Sequence, residues 1–274
     1  MKTGRKLTWL ILVLITFAWS MNGCKTGKKE TQEDGRHGIT KDSIKQAVQQ
    51  VVYPLPSPFE VHERLKDIGA SYLGDVLNST GNVDQYFTRQ LKAINIGVYS
   101  ADLSYVITYN RTEEIQEYTR IIESLRKDLD IQLDYPDYNQ QELKEKLQQK
   151  DSLVSFITGI FEKTYSYLDQ KDSPALAALM VSGIWAEGLY IATHISEDTY
   201  NNYEIVKVIY DQKSSLKKVV NLLNEYKTDE DVAVIHEAFN DLLETYENAG
   251  TDISRTELEA ITSKIAKIRE SMVS

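Results

Sequence analysis

SPALAALMVSGIWAEGLYIATHI (residues 173–195) decides the fold. From Ala175 to Ile195 it is apolar nearly all round, with Glu187 its one carboxylate. A helix that lacks a polar stripe has to sit among other helices, because a surface helix needs a solvated face. Ser173 and Pro174 mark its start, since proline at the first helical position gives up an N–H that has no partner there anyway. The segment therefore predicts the central helix of a helical body.

The flanking sequence supplies helices to surround it. Downstream, Ile205, Ile209, Leu216, Val220 and Leu223 predict one long helix. Val232, Ile235, Phe239, Leu242 and Tyr246 predict another, ending at Gly250. Ser254 and Glu257 form a capping box before a last helix, where Leu258, Ile261, Ile265, Ile268 and Met272 alternate spacings of three and four. That seam is short and suits bundle packing better than a dimer zipper.

Upstream, Leu153 to Leu168 is a strongly apolar helix, preceded by a short polar one capped by Asn139 and Glu142. The run Asp134-Tyr135-Pro136-Asp137-Tyr138-Asn139 is the longest irregular break and places a possible sub-boundary at 131–139. Asn110 and Glu113 read as a capping box for an amphipathic helix. The stretch Ile96–Tyr109 is helical, either continuous with or separate from a helix that begins near Val83. Ser57, Pro58 and Glu60 open a helix expected to run to Leu77, where Asn78-Ser79-Thr80-Gly81 stops it. Before it, Tyr53-Pro54-Leu55-Pro56 forms an extended linker after a short helix from Asp42. No segment shows the period-two alternation of a strand. The class is all-α, a multi-helix bundle or helical array of about eight to ten helices over residues 41–274.

Two central segments echo one another. GVYSADLSYVITY (Gly97–Tyr109) aligns with GIWAEGLYIATH (Gly183–His194) when one residue is skipped. The register pairs Tyr99 with Trp185, Asp102 with Glu187, Tyr105 with Tyr190, and Thr108 with Thr193. Two related helical-hairpin halves, with these helices packed together, are the expected arrangement.

Asp102 and Glu187 are isolated carboxylates in apolar helices, and they head the candidate site. Glu187, Tyr190 and His194 share a helical face by their spacing, and Asp102, Tyr105 and Trp185 complete the candidate pocket. If the carboxylates face each other, each raises the other's proton affinity and burial adds to it. Such a group could do acid–base work, bind a cation with His194, or simply accept tyrosine hydrogen bonds and neutralise a cation such as Arg89 or Lys92. The seventeen tyrosines also allow a groove for a sugar or aromatic ligand. The metalloprotease pattern fails, since His62-Glu63 and His236-Glu237 lack the second histidine, at Lys66 and Asn240. No P-loop, dinucleotide-binding turn, hydrolase elbow or calcium loop is present, so no catalytic residue, metal or cofactor is assigned.

Composition narrows the partners. With 31 Lys and Arg against 41 Asp and Glu, the net charge is −10, which argues against nucleic acid. A single cysteine removes any intrachain disulfide framework.

That cysteine, Cys24, follows a distinctive segment. Lys2, Arg5 and Lys6 precede LTWLILVLITFAW (Leu7–Trp19), and Ser20-Met21-Asn22-Gly23 leads to the cysteine. Thirteen apolar residues span roughly 20 Å as a helix, short of the ~30 Å bilayer core, so the segment reads as a secretion signal. Met21-Asn22-Gly23-Cys24 resembles the lipobox of bacterial lipoproteins, usually Leu-Ala-Gly-Cys, with Asn22 the departure from it. The resemblance implies removal of residues 1–23, lipidation of Cys24 (palmitate included) and anchoring in the cell envelope. Lys25 after the cysteine, rather than Asp, implies the outer membrane, on its periplasmic or surface face. Residues 24–40 then form the lipidated cysteine and a polar, flexible tether. Three cations leave with the signal and no acid does, so the charge falls to −13, and Trp185 is the one tryptophan remaining. The segments YPLPSPFEV and GVYSADLSY are also similar to a group of uncharacterised all-helical envelope lipoproteins, which implies no activity.

The functional expectation is a non-enzymatic, lipid-anchored binding or scaffold module that meets an envelope protein. Capture of a small ligand or glycan between the central helices is one alternative. A hydrolase or metal-assisted enzyme built on Asp102, Glu187 and His194 is the other.

Overall fold

Helix Pro174–His194, labelled α5 below, is wrapped by its neighbours, as its unbroken apolar surface requires. The computed structural model describes residues 58–133, 149–171, 173–196, 199–250 and 253–274, all within the unit Lys41–Ser274. The signal segment, Cys24, the tether, the helix expected from Asp42, the proline linker, and the break and short helix expected between Asp134 and Gln148 lie outside the described residues.

Nine α-helices and no strand occur among the described residues, so the all-α class holds. In chain order they are α1 (Pro58–Asp67), α2 (Arg89–Thr108), α3 (Thr112–Asp128), α4 (Lys150–Gln170), α5, α6 (Tyr203–Asp211), α7 (Lys213–Glu225), α8 (Glu230–Asn248) and α9 (Arg255–Val273). Helices α1, α2, α4 and α6 to α9 pack against α5, while α3 docks on α2. Among the described residues α5 is the one helix long and apolar enough to cross a membrane, but 83% of its most apolar window is buried in protein. It is a core helix.

The α2–α5 crossing is the tightest contact in the fold. A Cβ built on Gly97 would lie 2.0 Å from the carbonyl oxygen of Met180, and one on Gly183 would lie 2.2 Å from that of Ile94. Each glycine thus meets the carbonyl three residues before the other glycine. That reciprocity gives the two echoing segments a local twofold relation. Gly188, in the same helix, has nothing within 4 Å of a built Cβ, so only Gly183 is required by the contact.

Helix ends correct several sequence expectations. The apolar spacing of Ile68, Tyr72, Leu73 and Val76 predicts helix to Leu77, yet α1 stops at Asp67. Gly69 sits at φ +93°, donating to the Lys66 carbonyl, while the Ala70 N–H bonds the Leu65 carbonyl. Those two bonds make a Schellman ending, which only a left-handed residue can form without strain. Residues 70–88 are a strap with two short 3₁₀ turns, Gly74–Val76 and Thr80–Gln85, instead of the helix expected near Val83. Asn110 is not an N-cap either. At φ +57° it ends α2 in the same way, its N–H on Ile107 and that of Arg111 on Val106. The long helix expected through Ile205 and Leu223 is two helices that meet at the buried Gln212. At α9 the expected capping box is present, with Ser254 and Glu257 bonded reciprocally.

Gly97→Ala and Gly183→Ala should each destabilise the protein by about 3 kcal/mol or more, because backbone must move to admit the methyl group. Gly188→Ala should instead leave stability unchanged or raise it by up to about 1 kcal/mol. Chemical denaturation of the three variants against wild type checks the contrast.

Candidate functional site

The crossing sets the site. Asp102 lies five residues past Gly97 on α2, and Glu187 four past Gly183 on α5. Both are wholly buried, and they hydrogen-bond to each other. A third helix completes the group: Arg269 of α9 donates from Nε to Glu187 Oε2 at 2.8 Å and from a terminal nitrogen to Oε1 at 3.0 Å. The two-pronged geometry fixes the carboxylate plane.

The electrostatics divide the two acids. Burial raises the proton affinity of Asp102 well above the carboxylate range, and the neighbouring Glu187 charge raises it further, against the pull of Arg269. Glu187 is raised by burial too, but the Arg269 charge and hydrogen bonds and the bond from Asp102 oppose this. The consistent state is a protonated Asp102 donating to an ionised Glu187 that is paired with Arg269. Asp102 Oδ2 accepts from the Asn78 N–H at 3.3 Å, whereas Oδ1 receives no donor.

A strap closes the site. The tyrosine hydroxyls of α2 and α3 satisfy the irregular backbone of residues 70–79: Tyr109 donates to Ala70 O at 2.7 Å, Tyr99 to Ser79 O at 2.9 Å, and Tyr118 to Asn78 O at 3.2 Å. Tyr105 accepts from the Leu73 N–H at 2.9 Å. Arg269 also reaches Val76 O at 3.4 Å. Buried backbone needs such partners when it leaves regular structure, and here side chains of three helices supply them.

The remaining candidate residues are placed as follows. Tyr190 is half-buried, with the Arg269 guanidinium 4.2 Å above its ring. His194 stacks on Tyr190 at 4.0 Å, and its Nδ1 lies 2.9 Å from the Tyr190 carbonyl rather than on either carboxylate. Tyr105 stacks on Tyr72 at 5.3 Å. Trp185 points to another interface, its Nε1 donating to Ser215 Oγ at 3.2 Å beside Phe239. The structure therefore brings Asp102, Glu187 and, through Arg269, Tyr190 together, and leaves Trp185 apart. The neutralising cation is Arg269, not Arg89 or Lys92; Lys92 pairs with Asp128 at 2.8 Å.

Asn78 and Arg269 were not legible as site residues. Asn78 reads as a helix stop and Arg269 as a polar position beside the α9 seam. The signal that could have found Arg269 is its place between Ile268 and Met272, on the border of the buried face. His62, also buried, holds Ser104 Oγ at 2.7 Å, and burial lowers its pKa to about 3. No set of three His, Cys, Asp or Glu side chains that could hold a metal occurs among the described residues. Compared with known proteins, the chain matches no family model, no curated protein and no solved structure.

The arrangement can hold one proton between two carboxyls and clamp three helices, which gives two predictions. Above about pH 4 the unfolded chain has released the Asp102 proton that the folded protein retains, so the Asp102 contribution declines as pH rises. Asp102→Asn can accept from Asn78 and donate to Glu187 without titrating. Its stability relative to wild type should therefore grow from pH 4 to pH 8, measured by thermal melts at each pH; comparison at equal pH cancels His62, which destabilises toward acid. Arg269→Ala leaves Glu187 buried without its cation and should cost about 3–5 kcal/mol. The double variant Arg269→Ala, Glu187→Gln should recover part of that loss in denaturant titrations.

Proposed function

We propose that the protein is a lipid-anchored module of the bacterial envelope that binds a partner at its surface and performs no chemistry in its core. The anchor rests on the lipobox-like Met21-Asn22-Gly23-Cys24 behind the apolar run Leu7–Trp19. The binding role rests on one structural observation. The carboxyl pair, the strongest sequence candidate for chemistry, is occupied by the Arg269 bonds and covered by the strap. In this reading Asp102, Glu187 and Arg269 hold the body rigid, and recognition falls to exposed side chains.

The other two readings draw less support. A ligand between α2 and α5 would have to enter a crossing with no room for a methyl group at Gly97 or Gly183. A hydrolase would need His194 to reach a carboxylate, and its ring instead stacks on Tyr190.

Anchoring is tested by expressing wild type and Cys24→Ser in a Gram-negative host fed a clickable palmitate analogue. Wild type should carry the label and sediment with membranes, and Cys24→Ser should do neither. An unlabelled wild-type chain that still begins at Met1 in intact-mass spectra would overturn the reading.

A further inference from the structure

The surface around α6 carries a second set of residues that the core clamp does not use. Two hollows there have Tyr210 in both of their linings. One, of about 400 Å³, is lined by Tyr200, Tyr203, Lys207 and Tyr210 over a floor of Val206 and Ile253. The other, of about 440 Å³, is lined by Tyr210, Asp211, Lys213, Ser214, Lys217 and Glu247. We infer that this double hollow binds a polysaccharide chain that bears carboxylate groups.

Three observations carry the inference. The first is aromatic exposure. Tyr203 is 67% exposed and Tyr200 37%, two of the few large apolar side chains that face solvent among the described residues. Isolated exposed residues need no explanation; these two line the same hollow. Tyrosine presents an apolar face and a hydroxyl edge, which matches the C–H face and hydroxyl rim of a sugar ring. Arg255 lies over the Tyr200 ring at 4.6 Å, which holds that ring in place before any ligand arrives.

The second observation is shape. Each hollow falls within the size range of small-ligand sites, and the two share Tyr210. Two hollows that share a lining residue suit an extended polymer better than one compact molecule.

Charge is the third. The described lining has three lysines against two carboxylates, and both carboxylates are already engaged. Asp211 pairs with Arg64 at 2.9 Å and Glu247 with Lys217 at 3.7 Å. Lys207 and Lys213 have no such partner among the described residues. In a chain of net charge −10, these two lysines beside the exposed tyrosines, with Glu204 the neighbouring acid on the same helix, offer cations to an anionic ligand. The inference rests on the surface-binding reading above for its role, but not on the lipid anchor.

The experiment uses the full chain purified in detergent, where anchoring plays no part. Binding to alginate (a polyuronate), to dextran (a neutral glucan) and to oligo(dT) is measured by titration calorimetry. Alginate should bind, more weakly as salt is added, with dextran weaker and oligo(dT) weaker still. Tyr203→Ala should weaken alginate binding roughly tenfold, and Lys207→Ala with Lys213→Ala should remove the preference for alginate over dextran. Both sites lie at the surface, so melting temperatures should match wild type. Equal binding of dextran, tighter binding of oligo(dT), no alginate binding by the folded protein, or an unchanged affinity for Tyr203→Ala would each overturn the inference. The palmitate experiment reports separately on the anchor.

Discussion

The approach of α2 to α5 at Gly97 and Gly183 is the constraint from which the rest of the structure follows. With no side chain at either position, each backbone rests against a carbonyl of the other helix. So close a contact draws Asp102 and Glu187 into the same dry interior one turn further on. Two carboxyls in that setting cannot both ionise, and neither can remain without partners. Arg269 and one retained proton resolve both conditions, and the requirement for Arg269 fixes where α9 must lie.

The strap is the second consequence. A carboxylic acid buried between two helices needs a donor from outside them, and the Asn78 N–H supplies it. The segment that brings this peptide N–H to the site is not helical at Asn78, since within the body of a helix, past its first turn, the N–H is held by the ladder. Its freed backbone groups then need acceptors and donors, which Tyr99, Tyr105, Tyr109 and Tyr118 provide. Tyr99 and Tyr105 of α2 and Tyr109 at its end are thereby explained as partners for irregular backbone and not as a ligand platform.

The sequence announced the helical class and the central helix because a run such as residues 175–195 has no other stable setting. It also marked Asp102 and Glu187 as companions, through the echo around Gly97 and Gly183. The strap was illegible for a specific reason. Ile68, Tyr72, Leu73 and Val76 keep helical spacing, but Gly69 can take a left-handed conformation that ends the helix first. Asn110 shows the same ambiguity, since asparagine both opens helices and tolerates the left-handed closing position. Arg269 could not be read because its partner stands 82 positions away, and no local pattern links a surface-edge arginine to a carboxylate at that distance. The tyrosines of α6 were counted with the others. Burial separates them from the core tyrosines, and burial is a property of the assembled body.

Arg269 lies on α9, far along the chain from the helices it clamps. Without α9 docked, α2 and α5 could still come together, but the buried Glu187 carboxylate would lack its cation. Asn95 likewise waits for the Met272 carbonyl, 177 positions downstream. The body is thus closed by contacts between distant stretches of chain, and the packing of α2 on α5 is complete only when α9 docks against both.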